Sequence, residues 1–190
     1  MTAFDVSREQ IGAGAAAGQT VLQSLAVCES ISLRAIEDPA QRSGAVLQTR
    51  RLQGRASEAL GASLLAYTRA LEELELARGD TSAASARVTG RDASLRRALM
   101  DAVDSLIALA AVAADAAVLA AGLTEVVDPS RRADAAGTTE LALGAVRCVR
   151  HLLEVNLALT RGDTRRNDVA ALVSVAEQAA VEARRTLAEG

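Results

Sequence analysis

Apolar positions recur every three to four residues along most of this chain, and that spacing predicts α-helices rather than strands. Leu60, Leu64 and Leu71 show the pattern in one stretch, and Pro39 and Pro129 are the two prolines that interrupt the chain. The pattern predicts five helices. Their expected bounds are Ala16–Ile36, Ser43–Ala77, Asp92–Ala121, Arg131–Thr160 and Thr164–Ala188. The stretch 80–90, rich in Ser, Thr and Ala, is expected to be a linker or a short helix.

The third predicted helix is apolar on nearly every face, which places it at the centre of the fold. Its segment Ala102–Leu123 is long enough to span a bilayer, but Asp104 and Asp115 lie inside it. Each acid costs about 2.5–3.5 kcal/mol at a bilayer centre, so we expect a buried helix of a soluble protein and no membrane partner. The predicted fold is all-α: a single domain, 1–190, built as an up-and-down bundle of about five long helices.

Composition narrows the class of protein further. Half of the 190 residues are hydrophobic, yet Phe4 and Tyr67 are the only aromatics, so Ala, Leu and Val must form the core. The net charge of −3 and the absence of a basic block argue against a nucleic-acid partner. Two lone cysteines, Cys28 and Cys148, and an N-terminus without a signal-like pattern favour a reduced, cytoplasmic protein. No cluster of His, Cys and acids has metal-ligand spacing, so no metal is expected.

The fourth predicted helix carries a polar residue at each end. Within Arg131–Gly144, Asp134 stands near its start, and Asn156 follows about six turns later. This pattern resembles the cyclodeaminase/cyclohydrolase family, in which the helix begins with a Ser-Asp-Ala-Gly-like element and ends near an Asn-Val-Arg-Ile-Asn-like one. Asp134 matches the acid and Asn156 the last amide. Leu152 stands where the first amide would be, and Glu154 where the arginine would be.

The run Gly12–Gly18 extends the resemblance. Gly12 and Gly14 match the first and third glycines of a Pro-Gly-Gly-Gly-Ser-like opening, whereas Ala15 replaces the serine and Ile11 the proline. In the family, small residues at a helix start let backbone N–H groups approach a ligand. The alternative is a linker or a packing face made of small residues.

The resemblance covers about Ile11 to Leu187 and implies a cyclodeaminase-like fold. It also implies an enzyme that cyclises formimino-tetrahydrofolate with loss of ammonia or hydrolyses methenyl-tetrahydrofolate, without a metal or a tightly bound cofactor. Tyr67 aligns with a family aromatic, and Ser63 stands where the family usually has an acid.

The implied site has Asp134 as its catalytic acid or base. The Gly12–Gly18 segment, with Gly12 and Gly14, would bind substrate together with Gly137 and Asn156. We expect a homodimer in which Ala-rich faces of the third and fourth helices lie near the two-fold axis, so the pocket can be completed across the interface.

Two other functions remain open at this point. One is a repurposed relative that acts on a non-folate small molecule with a C–N centre in a biosynthetic pathway. The other is a non-catalytic helical dimer that binds a ligand or scaffolds a partner.

Several polar residues also have simpler interpretations. Asp134 is favoured near a helix N-terminus by capping and by the helix dipole. Asn156 can form an interhelical hydrogen bond, and His151 lies on a charged face where a solvated side chain is expected. The acids of the third helix would act as acids or bases if buried, and otherwise form a polar strip or pair with arginines. These acids are Asp101, Asp104 and Asp115.

Overall fold

The computed structural model describes residues 8–79, 85–156 and 163–189. These residues form five α-helices and no strand, which confirms the all-α prediction. The helices are α1 (Arg8–Ala35), α2 (Pro39–Gly79), α3 (Ser85–Val126), α4 (Pro129–Asn156) and α5 (Arg165–Glu189).

Both prolines occupy the first position of a helix. Asp38 accepts a hydrogen bond from the N–H two residues later at 2.8 Å, and Pro39 then begins α2. Asp128 makes the same contact at 2.9 Å before Pro129 begins α4. An aspartate cap followed by proline is favoured because proline has no N–H to leave unpaired and its φ is already helical. The second helix therefore begins four residues before the predicted Ser43.

α1 and α3 also begin earlier than the sequence pattern indicated. α1 starts at Arg8, so the Gly12–Gly18 run lies inside the helix instead of opening it. α3 starts at Ser85, so Asp92 is an interior residue and not a cap, and most of the expected linker is helical. Residues 80–84 and the predicted end of the fourth helix lie outside the described residues. The early start of α1 follows from its alanine-rich flank, since one glycine costs a helix only about 1 kcal/mol.

α3 is the central helix, as predicted. It contacts each of the other four helices, which surround it in the order α2, α1, α4, α5. Among the described residues, α2 and α5 do not contact each other. This gap leaves a strip of α3 exposed, and Asp115, Val118, Gly122 and Glu125 lie on it. One subunit therefore encloses most of α3 but not all of it.

The segment Ala93–Val126 is the one described stretch long and apolar enough to cross a membrane. Of its most apolar 18-residue window, 67% is buried inside the bundle. The core helix of a soluble protein has the same length and composition, so this segment agrees with the predicted central helix.

Glycine permits one close contact between α1 and α2. A methyl group built on Gly18 would lie 2.6 Å from Cδ1 of Leu60, far inside normal contact distance. Gly54 and Gly61 of α2 make no such contact within the chain, because a methyl on either would meet nothing within 4 Å.

Candidate functional site

A groove open to solvent runs between the C-terminal half of α1 and the N-terminal turns of α4. Its volume is about 290 Å³. Its walls combine small apolar side chains with three charged ones. The lining residues are Ala26, Val27, Ser30, Ile31, Arg34, Ala35, Arg131 and Asp134. Asp134, the acid that the sequence analysis selected, therefore lines this groove.

Asp134 does not cap α4. It is the sixth residue of the helix, beyond the first turn, and the capping position belongs to Asp128. The carboxylate is 52% exposed, and Nη1 of Arg131 donates to its Oδ2 at 3.2 Å. Exposed ion pairs contribute little stability, so neither capping nor this pair accounts for an acid in the groove. Its remaining oxygen capacity can accept two parallel hydrogen bonds from an N–H pair of a ligand.

The opposite end of α4 is closed by apolar side chains. Gly14 is buried there, and a methyl built on it would lie 3.7 Å from Leu106, 3.9 Å from Oγ of Ser63 and 4.0 Å from Leu152. Ser63 and Leu152 therefore both lie beside Gly14. These are two positions of the resemblance, where Ser63 replaces a family acid and Leu152 a family amide. Here Leu152 stands at a position that carries a polar group in the resembled pattern, and its side chain packs beside Gly14.

The predicted site residues divide into two groups. Asp134 and Gly137 lie at the N-terminal end of α4, whereas Gly12 and Gly14 lie at the same end of the bundle as Asn156. Asp134 and Asn156 are 22 residues apart in one helix, which is about 33 Å. One chain therefore does not form a single pocket from all of them, and a pocket that joins both ends needs a second subunit.

The roles predicted for the two groups stay predictions, with one correction. Because Gly12 and Gly14 lie inside α1, their N–H groups take part in the hydrogen bonds of that helix. The expected opening of a helix by this run, with free backbone donors, is wrong. The side chain of Asn156 lies outside the described residues.

The acids of α3 are surface residues. Asp104 accepts from Nε of Arg165 at 2.6 Å, and Asp115 accepts from Nη1 of Arg55 at 2.7 Å. The hydrogen bond that Arg165 donates to Asp104 is also the main reason why the pKa of Arg165 is raised. Asp101 is exposed on the same side of the helix. These acids therefore form a polar strip in which Asp104 and Asp115 pair with arginines, and none of the three is a buried acid or base.

Other parts of α4 are also exposed. His151 is 70% exposed and 3.5 Å from Glu154, which agrees with a solvated histidine. Among the apolar side chains, Leu141 is 53% exposed and Val155 58% exposed. α4 therefore presents part of its apolar surface to solvent.

Both cysteines are free thiols. Burial raises the pKa of Cys28 to about 12 and also raises the pKa of the half-buried Cys148. A thiol with a raised pKa stays protonated at neutral pH and is a poor nucleophile. Neither cysteine therefore fits a covalent catalytic role.

Arg34 is the groove residue that sequence reasoning missed. It lies in the last turn of α1, where a cation is already explained by the helix dipole. No carboxylate among the described residues pairs with it. Only the fold reveals that Arg34 and Arg131, nearly a hundred positions apart in the chain, line the same groove.

Comparison with known proteins gives an informative structural match. No protein-family model matches the chain, and no curated protein sequence matches it. The fold is shared with the crystal structure of a formiminotetrahydrofolate cyclodeaminase from Thermotoga maritima, with a TM-score of 0.74 and 13% sequence identity. The match covers 93% of this chain and 87% of the other. The cyclodeaminase-like fold that the resemblance implied is thereby confirmed, and at this identity the likeness shows the fold alone.

Proposed function

From this fold, we propose that the protein is a cyclodeaminase/cyclohydrolase-like enzyme acting on a C–N centre of formimino- or methenyl-tetrahydrofolate. One observation carries the proposal. A half-exposed carboxylate, Asp134, lines a groove without capping its helix, in a fold shared with a formiminotetrahydrofolate cyclodeaminase.

The proposed reaction needs proton transfer and orientation. In the cyclodeaminase direction, N10 of the substrate attacks the carbon of the protonated formimino group, whose nitrogen already carries two hydrogens, and a new C–N bond forms. Asp134 takes the proton from N10 and delivers it to the departing nitrogen, which leaves as ammonia when its C–N bond breaks. In the hydrolytic reaction, water adds to the methenyl carbon and gives one proton to the same carboxylate. That proton passes to the ring nitrogen whose C–N bond breaks, and the remaining hydroxyl proton is lost to solvent as the formyl C=O forms. Neither reaction needs a metal or a tightly bound cofactor.

A cytoplasmic homodimer is part of the proposal. The strip of α3 that the other four helices leave exposed carries Val118, which is 48% exposed, and Gly122, where an added methyl would meet nothing within 4 Å. A smooth, partly apolar helix face of this kind suits close packing against a second copy.

A second candidate, a repurposed enzyme acting on a non-folate C–N compound, has its own support. Leu152 is only 8% exposed and stands at the position of the family's first amide. Ser63 and Glu154 likewise replace an acid and an arginine of the resembled pattern. A pocket with fewer polar partners would hold a less polar ligand than a pterin ring.

Calorimetry and product analysis separate these functions. The purified protein is titrated with 5-formyl-tetrahydrofolate and then assayed for ammonia release from formimino-tetrahydrofolate. Binding together with ammonia release supports the proposal. No folate binding, with ammonia released from other formimino or amidine compounds, supports the repurposed enzyme. No binding and no release contradict both and leave the non-catalytic helical dimer.

A further inference from the structure

Two arginines from distant parts of the chain line the groove beside Asp134. Arg34 comes from the last turn of α1, and Arg131 comes from the first turn of α4. Ser30 lies one turn before Arg34 on the same helix and also lines the groove. Two arginines and a serine therefore line one small volume.

The charges of the groove are not balanced. The positive charge of Arg131 is offset by the carboxylate of Asp134, to which Arg131 donates the 3.2 Å hydrogen bond. Arg34 has no carboxylate partner in the part of the chain that the structure describes. The residues that line the groove thus carry one surplus positive charge in a protein whose net charge is −3. Asp128 does not line the groove, but it is close enough to Arg131 for that arginine to help lower its pKa. Fixed positive charge in a concave site attracts anions even when the whole protein repels them.

We propose that Arg34 and Arg131 form a subsite for the carboxylate end of a small organic acid, with Asp134 beside it as the group that faces the reacting centre. Guanidinium groups bind carboxylates through two parallel hydrogen bonds, which fixes the orientation of the ligand as well as its affinity. The apolar side chains of Ala26 and Val27, which also line the groove, suit the carbon chain that joins the carboxylate to the rest of the ligand.

The size of the groove identifies which part of a ligand it holds. Its volume of about 290 Å³ is at the lower limit for small-molecule sites, which span about 300–1,000 Å³. It can hold an acidic tail but not a whole tetrahydrofolate. If the proposed folate function is correct, on which this identification rests, the tail is the glutamate. Arg34 is then a positioning residue that anchors the substrate without touching the reacting atoms.

The test uses glutarate, a dicarboxylate of the same chain length as glutamate, as the probe. Wild type is expected to bind it with a Kd in the millimolar range, and Arg34→Gln to weaken that binding about tenfold through loss of a charge-assisted contact. Arg34→Lys keeps the charge but not the paired geometry and is expected to fall between them. Arg69→Gln is the matched control, because Arg69 is an exposed arginine of α2 that does not line the groove. It should bind as wild type does.

A second arm compares 5-formyl-tetrahydrofolate with 5-formyl-6-methyltetrahydropterin, which lacks the glutamate. Arg34→Gln should weaken binding of the first and leave binding of the second unchanged. In turnover, the same substitution should raise KM about tenfold with little change in kcat, because the lost contact is equal in ground and transition states. Raising the ionic strength should reproduce part of the effect in wild type only.

The outcomes distinguish this subsite from the proposed function. Equal glutarate affinity in wild type and Arg34→Gln, or no binding to wild type up to about 50 mM, overturns the subsite. Equal loss of affinity in the Arg69→Gln control overturns it as well, since the effect would then be a general one of charge. Arg34-dependent glutarate binding without any folate binding keeps the subsite and overturns the folate function.

Discussion

Gly137 offers a test that separates a role in the site from a role in stability. It lies one turn after Asp134 on the exposed side of α4, and Gly144 lies two turns further along the same side. A methyl built on either glycine meets nothing within 4 Å. The two positions are therefore matched in helix, exposure and available space, and they differ in distance from the groove.

Alanine at either position should stabilise the protein by a similar amount. Replacing an exposed glycine in a helix interior by alanine gains about 0.8–1 kcal/mol, which raises the thermal midpoint of a chain of this size by about 2–4 °C. Differential scanning calorimetry measures both variants. A loss of stability at either position would show that the face is packed against something, as in a subunit interface.

Leucine at the same positions should separate them by activity. Helical side chains point towards the N-terminus, so Leu in Gly137→Leu would cover the turn that carries Asp134, whereas Leu in Gly144→Leu would cover Glu140 and Leu141. We expect Gly137→Leu to lower kcat/KM at least about tenfold, about 1.4 kcal/mol of transition-state binding, and Gly144→Leu to leave it within about twofold. Equal effects of the two leucines on kcat/KM would refute the placement of the site at the N-terminal end of α4.

Three further predictions concern thiol chemistry, packing and pH. Because burial raises both thiol pKa values, and Cys28 is the more buried, Ellman's reagent should label Cys148 slowly in the native protein and Cys28 only after unfolding; rapid labelling of Cys28 would contradict its burial. Gly18→Ala should lower the thermal midpoint, since overpacking costs about 1–3 kcal/mol against a helix gain of about 1 kcal/mol, and adding Leu60→Ala should remove the overpacking, as a double-mutant cycle would show. Hydrogen bonds from Ser130 lower the pKa of Asp128, so its contribution to stability is present above its unfolded-state pKa and is lost as pH falls through the folded one; Asp128→Ala should lower the thermal midpoint at pH 7, and this difference from wild type should shrink as pH falls below the unfolded-state pKa of about 3.9.

The sequence predicted the helices well because their signals are local. Five periodic segments, and the apolar character of α3 on nearly all faces, were enough to predict a bundle with α3 at its centre. The starts of the helices were less predictable. Glycines in Gly12–Gly18 are start signals on their own, but alanine-rich neighbours continue the helix through them.

The site was only partly predictable because it depends on tertiary contacts. Asp134 could be selected by its place in the fourth helix and by the resemblance. The presence of Arg34 in the same groove depends on how α1 packs against α4, for which the sequence has no local signal. The same limit applies to Asp104 and Asp115, since periodicity alone did not show that their side of α3 faces the gap between α2 and α5.

The most direct test of the proposed function compares Asp134→Asn with Asp115→Asn in the cyclodeaminase assay. Both acids are about half exposed and paired with an arginine, but only Asp134 lines the groove. The account predicts that wild type and Asp115→Asn each convert formimino-tetrahydrofolate to one ammonia per methenyl-tetrahydrofolate. It also predicts that Asp134→Asn loses at least about 100-fold in kcat with an unchanged thermal midpoint. A wild-type protein that releases no ammonia from this substrate, or an Asp134→Asn variant that keeps its kcat while its thermal midpoint falls, would contradict it.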